Sequence, residues 1–173
     1  NMVIAALARY VNGDLDICAS SADPGPVLDA FVKLPEVMQI VGHGDTKASI
    51  VASLFLDGHK VVMNADLRVV SDEQFPFAIA YFTGSKEHNI RMRQRAIDRG
   101  WSLNEYGLHA KDGDLPAKDE TDLFKHLGLR YIPPEMREDT GELEAAEKGD
   151  LPRLIEPGDI RGVFHNHTTA SDG

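Results

Sequence analysis

Three aspartates in two short contexts constrain this chain most. Asp14 and Asp16 sit in Gly13-Asp14-Leu15-Asp16-Ile17, and Asp66 sits in Ala65-Asp66-Leu67-Arg68-Val69-Val70. Both contexts read as β-strands, in which residues two apart point to the same face. Asp14 and Asp16 therefore project together, and Asp66 joins them if its strand lies alongside. Carboxylates gathered on one patch repel each other unless cations sit between them. Hard oxygen ligands of this kind suit Mg²⁺ or Mn²⁺, and paired ions of that type serve in-line phosphoryl or nucleotidyl transfer. By itself, an Asp-x-Asp on a strand is common and usually a solvated edge feature, so the other segments must discriminate.

The bulk properties narrow the setting. A chain of 173 residues holds one domain or two small ones and has no apolar run long enough for a membrane span. Cys18 is the single cysteine, which excludes an internal disulfide and a Cys-rich zinc site and fits a reducing compartment, with cytoplasm the default expectation. The net charge of −10 opposes nucleic-acid binding by the chain as a whole. Its distribution is uneven: residues 111–160 carry fourteen Asp/Glu against seven Lys/Arg, whereas Lys86, Arg91, Arg93, Arg95 and Arg99 cluster in one short segment. Any DNA contact is therefore expected there, and expected to be salt-sensitive.

Local signals divide the chain. A strand is expected at about 14–19, then a Pro/Gly loop and a helix over 27–33. Strands follow at 37–41, 48–55 and 60–70, the last two joined by an Asp57-Gly58 hairpin turn. The apolar residues 1–12 read as a strand or helix remnant. After a loop at 71–76 the pattern becomes helical. A short helix is expected at 77–82, and another capped by Ser85 and ended by Gly100, with further pieces at 119–127 and 142–148. A strand is expected to begin at Ile160. This reads as an α/β (α+β) chain: a mixed sheet with a flanking helix (1–72), a small α/β unit (73–133), an acidic linker (134–162) and the start of a further domain (163–173).

The segments Tyr81-Phe82-Thr83-Gly84-Ser85-Lys86-Glu87-His88-Asn89 and Leu103-Asn104-Glu105-Tyr106-Gly107-Leu108 sharpen this. So do Gly128-Leu129-Arg130-Tyr131-Ile132-Pro133-Pro134-Glu135-Met136 and Phe164-His165-Asn166-His167. Together they resemble the family X DNA polymerases, whose bacterial and archaeal members carry a PHP (polymerase and histidinol phosphatase) domain after the polymerase core. The resemblance runs from about Gly13 onward and implies a nucleotidyltransferase palm followed by a thumb. It implies that Asp14, Asp16 and Asp66 hold two Mg²⁺ or Mn²⁺ ions, and that the partners are gapped or primer-template DNA and deoxynucleoside triphosphates. It assigns Tyr81, Phe82, Gly84 and Asn89 to the incoming nucleotide, and Lys47, Lys86 and Arg93 to DNA. Arg68, Glu105 and Tyr106 are implied to exchange partners as the thumb closes, with an ordinary strand ion pair the alternative for Arg68. His165, His167 and Asp172 match the first ligands of the PHP metal cluster, a Zn²⁺ or Mn²⁺ site of the full-length parent that is expected to be incomplete in this stretch and at best a weak metal binder.

Two departures temper the activity expected of this stretch. The family's Gly-Ser and arginine motif for the β and γ phosphates has no counterpart in Met2–Tyr10, where Arg9 alone could substitute, and the lyase and fingers regions that the family places before the palm are expected to be missing from this stretch. The expected function is templated nucleotidyl transfer in gap-filling or base-excision repair. The alternatives are a non-catalytic DNA- or nucleotide-binding remnant and, behind it, a PHP-type phosphoesterase or exonuclease.

Overall fold

A computed structural model describes residues 4–11, 14–56 and 58–163, with side chains for 14–55 and 58–163. The first layer is a five-stranded sheet of order β1-β2-β5-β4-β3. Its strands are β1 (Ile4–Val11), β2 (Asp14–Ser20), β3 (Val37–His43), β4 (Lys47–Leu56) and β5 (His59–Val70). β2 runs parallel to β5, and the other neighbours in this sheet pair antiparallel. A parallel pair needs a crossover, and helix α1 (Pro24–Val32) supplies its first leg, with Pro at the start of the helix where no N–H is needed. The β4–β5 hairpin closes tightly, Leu56 opposite His59, with Gly58 at φ +78°, a conformation that costs other residues a Cβ clash.

Alternation then sorts the two faces. Ala65, Leu67 and Val69 of β5, with Ala48, Ile50 and Ala52 of β4, bury against Leu28 and Phe31 of α1. Asn64, Asp66 and Arg68 are left to the opposite face. The far end of that face is closed by helix α2 (Phe75–Thr83), where Cys18, Val70 and Ala78 form a small buried cluster with Phe75, Ile79 and Phe82 packed on it. Burial pushes the Cys18 thiol up to about 11 against the opposing charge of Arg68, so this cysteine is a protonated core filler with no nucleophilic character.

The second core gathers α2, α3 (Lys86–Ile97), α4 (Glu120–His126) and α5 (Glu142–Lys148). A three-stranded antiparallel sheet joins them: β6 (Ser102–Asn104), β7 (Gly107–Ala110) and β8 (Gly113–Leu115). Ser85 caps α3 through its hydroxyl, which accepts the His88 N–H at 3.2 Å. Phe77, Met92, Leu108, Phe124, Leu127 and Ile132 are buried at its centre.

The expected acidic linker needs correction. Leu143 and Ala146 of α5 belong to this same core, with Met136 and Leu151 packed against it. The stretch from 134 to 151 thus packs onto this second core, because α5 turns Leu143, Ala146 and also Glu142 inward and keeps Glu144 and Glu147 outward. The strand expected from Ile160 is also not observed over 160–163, which follow a 3-10 turn at Pro157–Asp159.

A buried polar pair fastens that stretch. His88 and Glu142 are each 2% exposed, and His88 Nδ1–H donates to Glu142 Oε1 at 2.7 Å. The carboxylate also accepts the Asp139 and Thr140 backbone N–H groups at 2.9 and 2.7 Å. His88 Nε2 has no hydrogen-bond partner among the described residues, so protonation would create a buried, unpaired N–H. Burial accordingly lowers the His88 pKa below its ordinary 6.5, and the attraction of Glu142 only partly opposes it. Burial disfavours the Glu142 carboxylate too, but the hydrogen bonds from His88 and the backbone outweigh it and lower that pKa below 4.5. Both groups then bind protons more readily unfolded than folded. Their contribution is full above pH 6.5 and is lost as pH falls below it, more steeply below 4.5. Urea midpoints should therefore drop from pH 7 toward pH 5, and His88→Gln should flatten that slope; equal midpoints across the range in the native chain would refute a neutral buried His88.

Candidate active site

The polar face of the first sheet carries the three aspartates. Asp14 and Asp16 lie on β2, and the β2–β5 register sets Asp16 directly opposite Asp66 and Asp14 opposite Asn64. These residues line a cleft of about 370 Å³, with Ser49 of β4 and Val41 of β3 on its other side. The Asn64 amide donates to Asp14 Oδ1 at 2.8 Å. Lys47, the first residue of β4, reaches across to Asp66, its Nζ 2.5 Å from Oδ2. Burial works against the charged form of Asp66, yet hydrogen bonds from Lys47 and Ser49 and the charges of Lys47 and Arg68 prevail, holding its pKa below 3.8. Arg68 extends along the same face, its guanidinium 5.3 Å from the Phe82 ring centroid, and so ties the sheet to α2.

The donor set of this cleft is carboxylate oxygen, which fits a hard divalent cation, and the ammonium on Asp66 shows that the patch draws positive charge. Among the described residues no three His, Cys, Asp or Glu side chains are gathered closely enough to enclose a metal ion. Arg9 lies on β1 outside the described side chains, and His165, His167 and Asp172 lie outside the described residues.

A second cleft, about 190 Å³, opens at the α2–α3 elbow and is lined by Tyr81, Gly84, Lys86, Asn89 and Arg93. Gly84 takes φ +74° at this elbow and a cis peptide joins it to Ser85. The Asn89 amide donates to the Tyr81 carbonyl at 2.7 Å, which locks α3 to the end of α2. Phe82 packs edge-on against Tyr81, with centroids 5.2 Å apart. Glu105 and Tyr106 sit in the β6–β7 turn, where the Asn104 side chain accepts the N–H groups of Tyr106 and Gly107 at 2.8 and 3.1 Å.

The basic segment divides in two by helical periodicity. Lys86 and Arg93 face the elbow cleft. Arg91 instead pairs with Asp139 at 3.0 Å and with Glu144, and Arg95 bonds the Leu127 carbonyl at 2.7 Å and Glu147 at 2.6 Å. Within the basic segment where any DNA contact is expected, Arg91 and Arg95 are thus engaged by acidic residues of and before α5, which neutralise the back of α3. The i, i+3 spacing of Glu144 and Glu147 opposite the i, i+4 spacing of Arg91 and Arg95 was the signal in the sequence that this pairing could form.

A carboxylate-lined sheet joined through α2 to a helical unit with its own small sheet is the architecture of a polymerase palm and thumb. The family model of the DNA polymerase beta thumb matches residues 78–138. This match and the relatives that follow support a fragment of a bacterial family X DNA polymerase. Over 168 residues, 96% of its length, it is 39% identical to the DNA polymerase/3'-5' exonuclease PolX of Bacillus subtilis (strain 168). It is also 40% identical over 78 residues, 43% of the chain, to human DNA-directed DNA/RNA polymerase mu, of which this covers 16%. Over 86 residues, 49% of each protein, it is 35% identical to the repair DNA polymerase X of African swine fever virus. The chain spans 28% of the length of the Bacillus relative. Among the described residues no helix is long and apolar enough to cross a membrane.

Proposed function

We propose that this chain supplies the catalytic palm face and thumb of a DNA-templated nucleotidyltransferase acting on gapped or primer-template DNA. The observation that carries this is the β2–β5 register, which sets Asp16 opposite Asp66 with Asp14 next to them on one open, polar face. Asp14, Asp16 and Asp66 would hold Mg²⁺ or Mn²⁺. Such ions, when bound, supply charge neutralisation for a triphosphate and for an attacking 3′-oxygen. In the overall reaction that oxygen displaces pyrophosphate from the α-phosphate of the incoming nucleotide, and the hydroxyl proton leaves to a base or to water.

The protein's own part is positioning. Asp66 is ionised throughout the neutral range and is held by Ser49 and Lys47. Tyr81, Gly84 and Asn89 form one rigid elbow beside which a sugar and base can stack, and Lys86 and Arg93 offer cations to phosphates there. Arg68 and Phe82 link the two clefts, so a shift of the thumb is felt at the carboxylates.

The reading is tested by insertion of one nucleotide into a gapped duplex by this chain at low salt with Mn²⁺. Product complementary to the template supports it. No product, with DNA or nucleotide binding retained, makes the chain a binding remnant. DNA affinity offers a second check, because Arg93→Ala should weaken binding about 5- to 10-fold and reduce the salt slope by about one. Arg91→Ala should leave both nearly unchanged, its charge being spent on Asp139 and Glu144. Fluorescence anisotropy across a salt series measures both, and equal losses in the two variants would overturn the assignment of faces.

A further inference from the structure

We propose that Lys47 is a resident counter-ion that a divalent cation must expel from Asp66, so that metal loading of the cleft is a competition between an internal ammonium and the incoming ion. The inference rests on the nucleotidyl-transfer reading of this cleft and adds to it a residue that sets its metal affinity. Asp66 has two prominent partners: the Ser49 hydroxyl from the register position beside it, and the Lys47 ammonium two residues earlier on β4. The ammonium lies 2.5 Å from Oδ2, in direct contact with nothing between them, so it occupies lone pairs that a metal ion would need. Asp14 is held differently, by the neutral amide of Asn64, which imposes no charge repulsion on an incoming cation.

Lys47 is also built to leave. Its side chain is 43% exposed and that of Asp66 37%, and exposed ion pairs hold weakly. It sits at the first residue of β4, on a flexible four-carbon stem, so it can swing into solvent without disturbing the sheet. A divalent ion brings twice the charge to the same patch and outcompetes it. The ammonium thus neutralises the carboxylates while no metal is bound and lowers the apparent metal affinity.

Mn²⁺ binding, followed by the loss of the free-ion electron paramagnetic resonance signal, tests this without turnover. Native chain, Lys47→Met, Asp66→Asn and the double variant are compared, with circular dichroism to show that each is folded. Lys47→Met should bind Mn²⁺ about fivefold tighter, the upper end of what an exposed pair is worth. Most of that gain should survive in about 1 M salt, where screening acts over about 3 Å and through-space repulsion is suppressed. In the Asp66→Asn background Lys47→Met should bring no gain. Equal affinity of native chain and Lys47→Met, a gain abolished by salt, or a gain of the same size in the Asp66→Asn background each overturns the proposal while leaving the nucleotidyl-transfer reading intact. Mn²⁺ binding that ignores Asp66→Asn altogether overturns the proposal and the catalytic-metal reading together.

Discussion

Asp66→Asn is expected to lower templated nucleotide insertion by at least about 10³-fold, the scale on which groups that stabilise transition-state charge act, while the chain stays folded. Asp66 lies on β5, the central strand, directly opposite Asp16 across the parallel β2–β5 pair. Asparagine keeps the shape and the hydrogen-bonding reach but removes the negative charge, which is what a cation-dependent step needs from this position. The fold has little stake in that charge. The apolar side of β5 buries Ala65, Leu67 and Val69, whereas Asp66 points into an open cleft. Its partner Lys47 is half exposed, and such a pair is worth at most about 1 kcal/mol, a shift of roughly 4 °C or less for a chain of this size. Single-nucleotide insertion beside a thermal melt separates the two quantities. Insertion that persists in Asp66→Asn would move catalysis away from this face. A collapse of the melt would mean instead that the carboxylate supports structure. Because its pKa lies below 3.8, Asp66 should add no acid limb to the activity profile between pH 5 and 8.

The palm face was legible in the sequence because alternation there is strong and uninterrupted. Asp14 and Asp16, like Asp66 and Arg68, differ by two in stretches long enough for period two to show, and helix α1 then forces the apolar half of each strand to one side. What alternation cannot supply is pairing. Nothing local says that β5 lies against β2 and not β3, and only the crossover makes Asp16 and Asp66 neighbours. The β6–β8 sheet escaped notice because its strands have three, four and three residues, too short for any period to register. The stretch 134–151 defeats a composition-based reading for a different reason. Its carboxylates suggested a solvated linker, yet Glu142 turns inward to His88 while Glu144 and Glu147 turn back onto Arg91 and Arg95. Buried charge contradicts the composition rule that reading relies on, and it occurs where partners are already in place.

Arg137 is the sharpest instance, and Arg137→Ala is expected to destabilise the thumb unit by about 3–5 kcal/mol. Its side chain is 1% exposed. The guanidinium donates to the Ile132 carbonyl at 2.9 Å and to Glu120 Oε1 at 2.6 Å, and lies 5.0 and 5.5 Å from the ring centroids of Phe124 and Tyr131. Truncation leaves the Glu120 carboxylate, itself 17% exposed, without its cation, and opens a cavity beside the touching rings of Phe124 and Tyr131. The main chain at this position holds the elbow as well, since the Arg137 carbonyl accepts the Ser85 N–H at 2.8 Å. That bond does not depend on the side chain, but it depends on the segment staying docked. Loss of the guanidinium should therefore loosen Ser85, the cap of α3, and with it the cleft lined by Gly84, Lys86, Asn89 and Arg93. Urea denaturation should show the midpoint falling and nucleotide or DNA affinity weakening together, although Arg137 itself does not line that cleft. Glu120→Gln keeps an acceptor for the guanidinium and opens no cavity, but it leaves the Arg137 cation buried without a counter-charge, so it too should lower the midpoint. Were Arg137→Ala to melt like the native chain, the stretch after Ile132 would be an appended linker after all, and the buried pairs that fasten it would carry none of the thumb's stability.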